Sequence, residues 1–278
     1  MSHLVSVAEL SELIAQEPRL RVLDVRWRLG GPDGRPEYLE AHVPGAVFVD
    51  LENELSRHGR PDEGRHPLPD TATVQDAARR WGLDDGDPVV VYDDHGGLAA
   101  ARAWWILRQG GMDVRVLDGG WPAWVSSGEP VEAGAVAPES GSAALSDIRG
   151  GSLTIDEVAA FPASGVLLDV RAPERYRGET EPYDPVAGHI PGAINLPTAV
   201  HLAADGTARS REEIRANLAA AGVADGTPVA AYCGSGITAA HTALMLAEVG
   251  MDAKIFHGSW SQWSNTLGRP AATGPQPG

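Results

Sequence analysis

The sequence predicts an α/β fold in two similar halves, each with a mostly parallel sheet flanked by helices. Short apolar runs bounded by turn residues alternate with longer segments of helical periodicity. Strands that alternate with helices in this way pair in parallel. Five short motifs also occur twice in the same order. A length of 278 residues gives each half enough chain to bury its own core.

The repeated motifs indicate a duplicated domain. They pair residues 22–26 with 167–171, 42–47 with 189–194, 88–92 with 228–232, 111–113 with 250–252, and 119–124 with 258–263. The period is far too long for a solenoid. We therefore predict a first domain over residues 1–128, a linker over 129–150, a second domain over 151–269 and a disordered tail over 270–278. The linker and the tail are rich in small residues, glycine and proline.

The predicted elements follow one order in both halves. Each half opens with a short helix, at 7–16 and 154–161, followed by a buried strand and a loop to the His-x-Pro-Gly-Ala motif. A helix at about 73–81 or 211–221 leads to the strand that ends in tyrosine, at 88–92 or 228–232. A long helix, a short strand at 114–117 or 253–256 and a Gly-x-Trp turn complete each half.

Composition excludes several classes of function. The formal net charge of −16 and the pI of about 4.9 argue against nucleic acid and against an anionic membrane surface as partners. A single cysteine rules out an internal disulfide and a cysteine-rich metal site, and the nine histidines lack ligand spacing. We expect no metal and no cofactor. Without a secretory signal or a spanning apolar run, the free thiol predicts a cytoplasmic protein.

The lone cysteine, Cys233, lies between a buried strand and a glycine-containing loop that leads into a helix at 238–249. Gly234 and Gly236 allow the loop to turn its amide groups inward, which forms a pocket for negative charge at a helix N-terminus. Such a pocket is expected to lower the pKa of the thiol and make it a nucleophile. The alternative is a small buried apolar residue. The first half has Asp93 at this position and therefore lacks a nucleophile.

Together these motifs resemble the tandem rhodanese family of sulfurtransferases over nearly the whole chain. The resemblance implies that Cys233 accepts a sulfur atom, holds it as a persulfide and passes it to an acceptor, and that the first domain is inactive. The sequence of the loop 233–238, Cys-Gly-Ser-Gly-Ile-Thr, is similar to that of 3-mercaptopyruvate sulfurtransferases. Thiosulfate enzymes usually place an arginine and a lysine after the cysteine, where this chain has the uncharged Gly234 and Ser235. The loop therefore favours 3-mercaptopyruvate as the donor, with thiosulfate as the alternative. The implied acceptor is cyanide or a thiol such as thioredoxin or a small thiol.

The same resemblance assigns roles to particular residues. The loop residues Gly234, Ser235, Gly236, Ile237 and Thr238 bind the substrate or the persulfide, and Arg175 binds the substrate carboxylate. The second arginine that mercaptopyruvate enzymes place shortly before His189 is absent from residues 181–185.

A proton relay is a further implication of the family. Ser235 is expected to act with His42 and Asp33 from the first half. His42 has an alternative role as a structural brace, because His189 repeats it in the second half.

The remaining candidates are weaker. A cysteine-loop phosphatase needs an arginine at the position of Ala239, and a non-catalytic binding module does not need the intact loop around Cys233. We expect His241 to be a solvated helix residue. Structural roles are expected for the repeated Asp24, Arg26, Asp169 and Arg171, and for the tryptophans at 121, 124, 260 and 263.

Overall fold

The computed structural model describes residues 2–278. The chain divides into two units: one runs up to Ser56, from Pro69 to Gly150 and from Ala203 to Ala208, and the other comprises the rest. The early segment, residues 57–68, therefore belongs to the second unit although it lies in the first half of the sequence. No helix within residues 2–278 has the length and apolar character needed to cross a bilayer.

The first unit contains a sheet of five parallel strands in the order β1-β5-β4-β2-β3. The strands are β1 Leu4–Val5, β2 Arg21–Asp24, β3 Val47–Phe48, β4 Pro88–Tyr92 and β5 Asp113–Leu117. The helices are α1 Val7–Gln16, α2 Arg35–Glu40, α3 Leu51–Glu54, α4 Thr71–Arg80, α5 Ala100–Gln109 and α6 Gly120–Ser126. Strand β4 lies at the centre and is buried after its first residue, as a continuous apolar run predicts.

The second unit repeats this design with four parallel strands in the order β7-β6-β8-β9. The strands are β6 Val166–Asp169, β7 Ile194–Asn195, β8 Val229–Tyr232 and β9 Ala253–Ile255. The helices are α7 Ile155–Ala160, α8 Pro173–Tyr176, α9 Arg211–Ala220, α10 Thr238–Glu248 and α11 Ser259–Asn265. Three 3₁₀ turns, Pro61–Glu63, Phe161–Ala163 and Thr198–His201, complete the unit. The predicted α/β class with parallel sheets is confirmed.

Buried ion pairs lie at the end of the strand next to each central strand. In the second unit, Arg171 Nη2 lies 2.6 Å from Asp169 Oδ2 and donates to the carbonyl oxygen of Gly188 at 2.6 Å. Arg26 makes the same bond to Asp24 at 2.6 Å and contacts the carbonyl oxygen of Ala41. Because each guanidinium ties a strand end to the following loop, these repeated residues have the expected structural role.

The predicted linker, residues 129–150, and the predicted tail, residues 270–278, both contain residues packed against the rest of their unit. In the second unit, Ala272 exchanges backbone hydrogen bonds of 2.9 and 3.0 Å with His189, and Gly192 N donates to the carbonyl oxygen of Pro277. In the first unit, Ala143 and Ile148 from the predicted linker are fully buried. The prediction of a disordered tail is therefore wrong. The tail is held by backbone hydrogen bonds, which depend little on side chains. Its proline- and glycine-rich composition therefore does not indicate that it pairs.

The prediction of a solvated His241 is also wrong. This histidine lies on α10, is almost fully buried, and has its Nδ1 atom 2.8 Å from the Thr198 hydroxyl. Burial lowers the pKa of His241 to about 3, with a smaller contribution from His201. Burial also lowers the pKa of His201 to about 4. Both imidazoles are therefore neutral in the folded chain at pH 7.

We expect these two histidines to make the second unit sensitive to acid. In the unfolded chain they titrate near pH 6.5, so the unfolded state binds more protons than the folded state between pH 6.5 and about 4. Stability from this source is present above pH 6.5 and is lost as the pH falls. His201→Leu removes one such group whose two ring nitrogens lack a hydrogen-bond partner within the described chain. It should reduce the loss of unfolding free energy between pH 7.5 and 5.0 by on the order of 2 kcal/mol.

Urea denaturation at the two pH values measures this difference. His58→Leu, at an exposed position of the early segment, is the matched control and should leave the pH dependence unchanged. An equal pH dependence in His201→Leu and the parent protein would contradict the assignment.

Candidate active site

Cys233 lies at the carboxyl end of β8, between that strand and α10. Its side chain is 2% exposed, and the amide of Gly236 donates to Sγ at 3.0 Å. Gly236 has a φ of +85°, and a Cβ atom there would lie 2.4 Å from the carbonyl oxygen of His257. Only glycine fits this position, so the loop geometry that aims an amide at the sulfur depends on it.

Helix α11 supports the loop from the other side. The Trp260 amide donates to the carbonyl oxygen of Cys233 at 3.0 Å, and the Ser261 amide donates to that of Gly234 at 2.9 Å. Ser259 Oγ accepts a hydrogen bond from the Cys233 amide at 3.1 Å and donates to the carbonyl oxygen of Phe256. The Gly-x-Trp turn therefore positions the Cys233 loop through its backbone amides and Ser259, in addition to the structural role expected for its tryptophans.

Ser259 also carries backbone strain. It has a φ of +51° and is the only non-glycine residue within 2–278 with a positive φ. The matching position in the first unit is Gly120, with a φ of +56°. Strain of this kind costs about 1–3 kcal/mol and persists where the surrounding structure enforces it.

The corresponding loop of the first unit is filled by its own carboxylate. Asp93 Oδ1 accepts hydrogen bonds from the amides of His95 and Gly97 at 2.8 and 2.9 Å. Asp93 Oδ2 accepts from the amides of Ala99 and Ala100 at 2.7 and 2.9 Å. These four bonds show that the loop is built to receive negative charge. They also show that the first unit has neither a thiol nor a free pocket at this place.

Ser235 has a histidine partner, but a different one from that expected. His66 Nδ1 lies 2.7 Å from Ser235 Oγ, and the two residues are 3% and 6% exposed. His66 belongs to the early segment, which approaches Gly258 closely. A Cβ atom on Gly64 would lie 2.7 Å from the carbonyl oxygen of Gly258. Gln262 further holds this segment by donating to the carbonyl oxygen of Asp62 at 3.0 Å.

The predicted relay through His42 and Asp33 is not the one that the structure contains. His42 Nδ1 donates to the carbonyl oxygen of Tyr38 at 2.8 Å, and the two rings stack at 4.2 Å. His189 makes the same contacts with Tyr176. Asp33 is exposed and accepts a hydrogen bond from the Arg35 amide at the start of α2. His42 therefore braces its loop, which was the alternative interpretation, and Asp33 caps a turn.

One sequence feature could have identified His66. The repeated pair His42 and His189 has a structural explanation in both halves, whereas His66 belongs to none of the repeated motifs. A histidine outside the repeat is the better candidate for chemistry that only one half performs. Its position beside Ser235, however, depends on the tertiary path of the early segment.

Arg175 lies beside the cysteine loop. Its Nη2 atom is 2.6 Å from Glu181 Oε1 and 3.7 Å from Asp184 Oδ2. A Cβ atom on Gly234 would lie 3.1 Å from Arg175 Nη1, which places the guanidinium against the backbone that follows Cys233. The two carboxylates fix the orientation of the guanidinium. Within residues 2–278 no group of three or more potential metal ligands occurs.

Comparisons with known proteins identify a family and several relatives. The family model described as "Rhodanese-like domain" matches residues 6–127 and 154–266. The chain is 48% identical over 275 residues to SseB of Mycobacterium tuberculosis, provisionally named a thiosulfate sulfurtransferase, covering 98% of this chain and 97% of SseB. It is 42% identical over 273 residues to a Pseudomonas aeruginosa protein provisionally named a 3-mercaptopyruvate sulfurtransferase, covering 93% and 94%.

A solved structure gives the same result. The 3-mercaptopyruvate sulfurtransferase from Leishmania major superposes with a TM-score of 0.83 at 30% sequence identity. The match covers 97% of this chain and 75% of the Leishmania chain.

Proposed function

This chain belongs to the rhodanese family and is a tandem-domain sulfurtransferase, and we propose that it transfers sulfur from 3-mercaptopyruvate to a thiol through a Cys233 persulfide. The observation that carries the proposal is the arrangement in the second unit. A buried thiol accepts a hydrogen bond from a loop amide, and an arginine lies beside the loop. Ser235, two residues after the cysteine, contacts His66. These groups supply a nucleophile, a carboxylate contact and a path for a proton.

The proposed reaction balances with these groups alone. The Cys233 thiolate attacks the substrate sulfur, so that an S–S bond forms and the C–S bond breaks. The electron pair of that bond remains on carbon, and pyruvate leaves as its enolate. The proton of the substrate thiol ends on the methyl group of pyruvate, and Ser235 with His66 can carry it there. A thiol then attacks the outer sulfur and releases the Cys233 thiolate.

The Ser–His pair supports mercaptopyruvate as the donor. A carbon leaving group needs a proton, whereas sulfite, which leaves from thiosulfate, does not. Gly234 and Ser235 add no positive charge next to the cysteine for a sulfonate group. Thiosulfate is the second candidate, because SseB is named a thiosulfate sulfurtransferase. Arg175 can also bind the sulfonate-like end of thiosulfate.

For the acceptor we propose a thiol, either thioredoxin or a small thiol. A nucleophile that must remain a free thiol is best kept in a reducing compartment, so we also propose a cytoplasmic location.

Intact-mass measurement tests the proposed function. The protein is exposed briefly to 3-mercaptopyruvate or to thiosulfate, with Cys233→Ser in parallel. We expect the parent protein to gain the mass of one sulfur atom, mainly from 3-mercaptopyruvate, and the variant to gain none. A gain mainly from thiosulfate would support the second candidate, and a gain in the variant would contradict the assignment of the nucleophile.

Replacing Arg175 tests the proposed carboxylate contact. Arg175→Ala removes a charge-assisted contact to the substrate and should raise the KM for 3-mercaptopyruvate by about tenfold or more, with a smaller change in kcat. Arg177→Ala is the matched control, because Arg177 lies two residues away and pairs with the exposed Glu179. An unchanged KM in Arg175→Ala would contradict the contact.

A further inference from the structure

The early segment brings a second arginine to the residues that hold Arg175. Arg65 Nη1 and Nη2 lie 3.2 and 3.3 Å from the two carboxylate oxygens of Asp184. Asp184 also pairs with Arg175, and its side chain is 1% exposed. Two guanidinium groups of like charge therefore share one buried carboxylate, which offsets their mutual repulsion.

Both arginines also contact one aromatic ring. The guanidinium carbons of Arg65 and Arg175 each lie 5.4 Å from the centre of the Tyr183 ring. The side chain of Tyr183 is itself half exposed. Cation–π contacts with one ring restrict the orientation of both guanidinium planes and so pre-organise them for a bidentate ligand.

Both arginines retain unused donors. The Nε atoms of Arg65 and Arg175 are buried and have no hydrogen-bond partner among residues 2–278. A cavity of about 350 Å³ borders Arg65 and is lined in addition by Arg60, Tyr183, Asp184, Ser261 and Asn265. The amide of Ser261 donates to the carbonyl oxygen of Gly234, which connects the lining of this cavity to the cysteine loop.

We infer that Arg65 is a second carboxylate-binding residue of the donor site and acts together with Arg175. This inference rests on the proposed function and names a residue for it. It accounts for the absence of an arginine from residues 181–185, where Tyr183 and Asp184 instead hold an arginine from the early segment. The ligand class is a small 2-oxo acid, because a planar carboxylate matches the planar fork of each guanidinium.

Binding of pyruvate, the sulfur-free product, tests the inference without requiring turnover. We expect Arg65→Gln to raise the calorimetric Kd for pyruvate and the KM for 3-mercaptopyruvate by about tenfold to a hundredfold, with kcat changed by less than about threefold. Arg65→Lys should fall between the parent and Arg65→Gln, because lysine retains the charge but loses the fork.

Two controls separate binding from damage to the fold. Arg57→Gln removes an exposed arginine of the early segment that pairs with Glu63, and it should leave the Kd and the KM unchanged. The rate at which the neutral reagent iodoacetamide alkylates Cys233 should be the same in Arg65→Gln and the parent protein.

Three results would overturn the inference: no pyruvate binding by the parent protein, an unchanged Kd in Arg65→Gln, or a parallel loss of the alkylation rate. If the parent protein binds pyruvate through Arg65 but takes no sulfur from 3-mercaptopyruvate, the proposed donor fails while the inference about Arg65 stands.

Discussion

Cys233→Ser is expected to reduce the rate of sulfur transfer by on the order of 10⁴-fold or more, from either donor. Serine is close to cysteine in size, so the buried position and the contacts of the Gly236 amide and of Ser259 can persist. The hydroxyl is not ionised near neutral pH and cannot hold sulfur as a persulfide. The effect should therefore be confined to the chemistry.

Steady-state assays with each donor and a small-thiol acceptor measure this loss. Thermal unfolding should show midpoints for the variant and the parent protein within a few degrees of each other. Asp93→Ser, at the matching position of the first unit, is the paired variant and should leave the chemistry at Cys233 in place. Residual transfer above about one per cent in purified Cys233→Ser would contradict the proposed mechanism.

His66→Asn is expected to have the second-largest effect, and only with one donor. The amide nitrogen of asparagine can replace Nδ1 in the contact with Ser235 Oγ, but it cannot accept and release a proton at neutral pH. With 3-mercaptopyruvate, kcat should fall by about 10²–10³-fold, which lies within the range that general acid–base catalysis contributes. With thiosulfate the change should be small, because sulfite leaves without carbon protonation.

Comparison of both donors for His66→Asn, Ser235→Ala and the double variant tests this expectation. Because the two residues act as one pair, the double variant should lose little more activity than either single variant. His58→Asn, at an exposed position of the early segment, is the control and should retain activity. An equal loss with thiosulfate would instead indicate that His66 supports the loop structure.

Most helices and strands could be predicted from local sequence. The predicted bounds of α1 and β4 agree with the structure, and the fully buried β8 was evident from its apolar run. Periodicity and flanking turn residues determine such elements within their own length. The two-residue strand β1 was not predicted, because so short a segment carries no periodic signal and forms only by pairing with β5.

The proposed nucleophile is also a local feature. Cys233, the glycines that follow it and the helix after them are contiguous, so the chemistry of the loop could be inferred from the chain itself. The absence of a cysteine from the first half is equally visible, since Asp93 occupies the matching position.

The partners of the proposed nucleophile depend on tertiary structure. Ser235 and His66 are 169 residues apart, and Arg65 and Asp184 are 119 residues apart. The early segment leaves the first half of the sequence and packs within the second unit, where Gly64 permits a close approach to Gly258.

The sequence by itself therefore determined the duplicated α/β fold and located the cysteine loop and the matching loop with Asp93, because each is encoded by neighbouring residues. Only the tertiary structure decided which histidine meets Ser235 and which second arginine shares Asp184 with Arg175. Contacts between distant segments arise from the packing of the whole unit, and no periodicity or spacing along the chain specifies them.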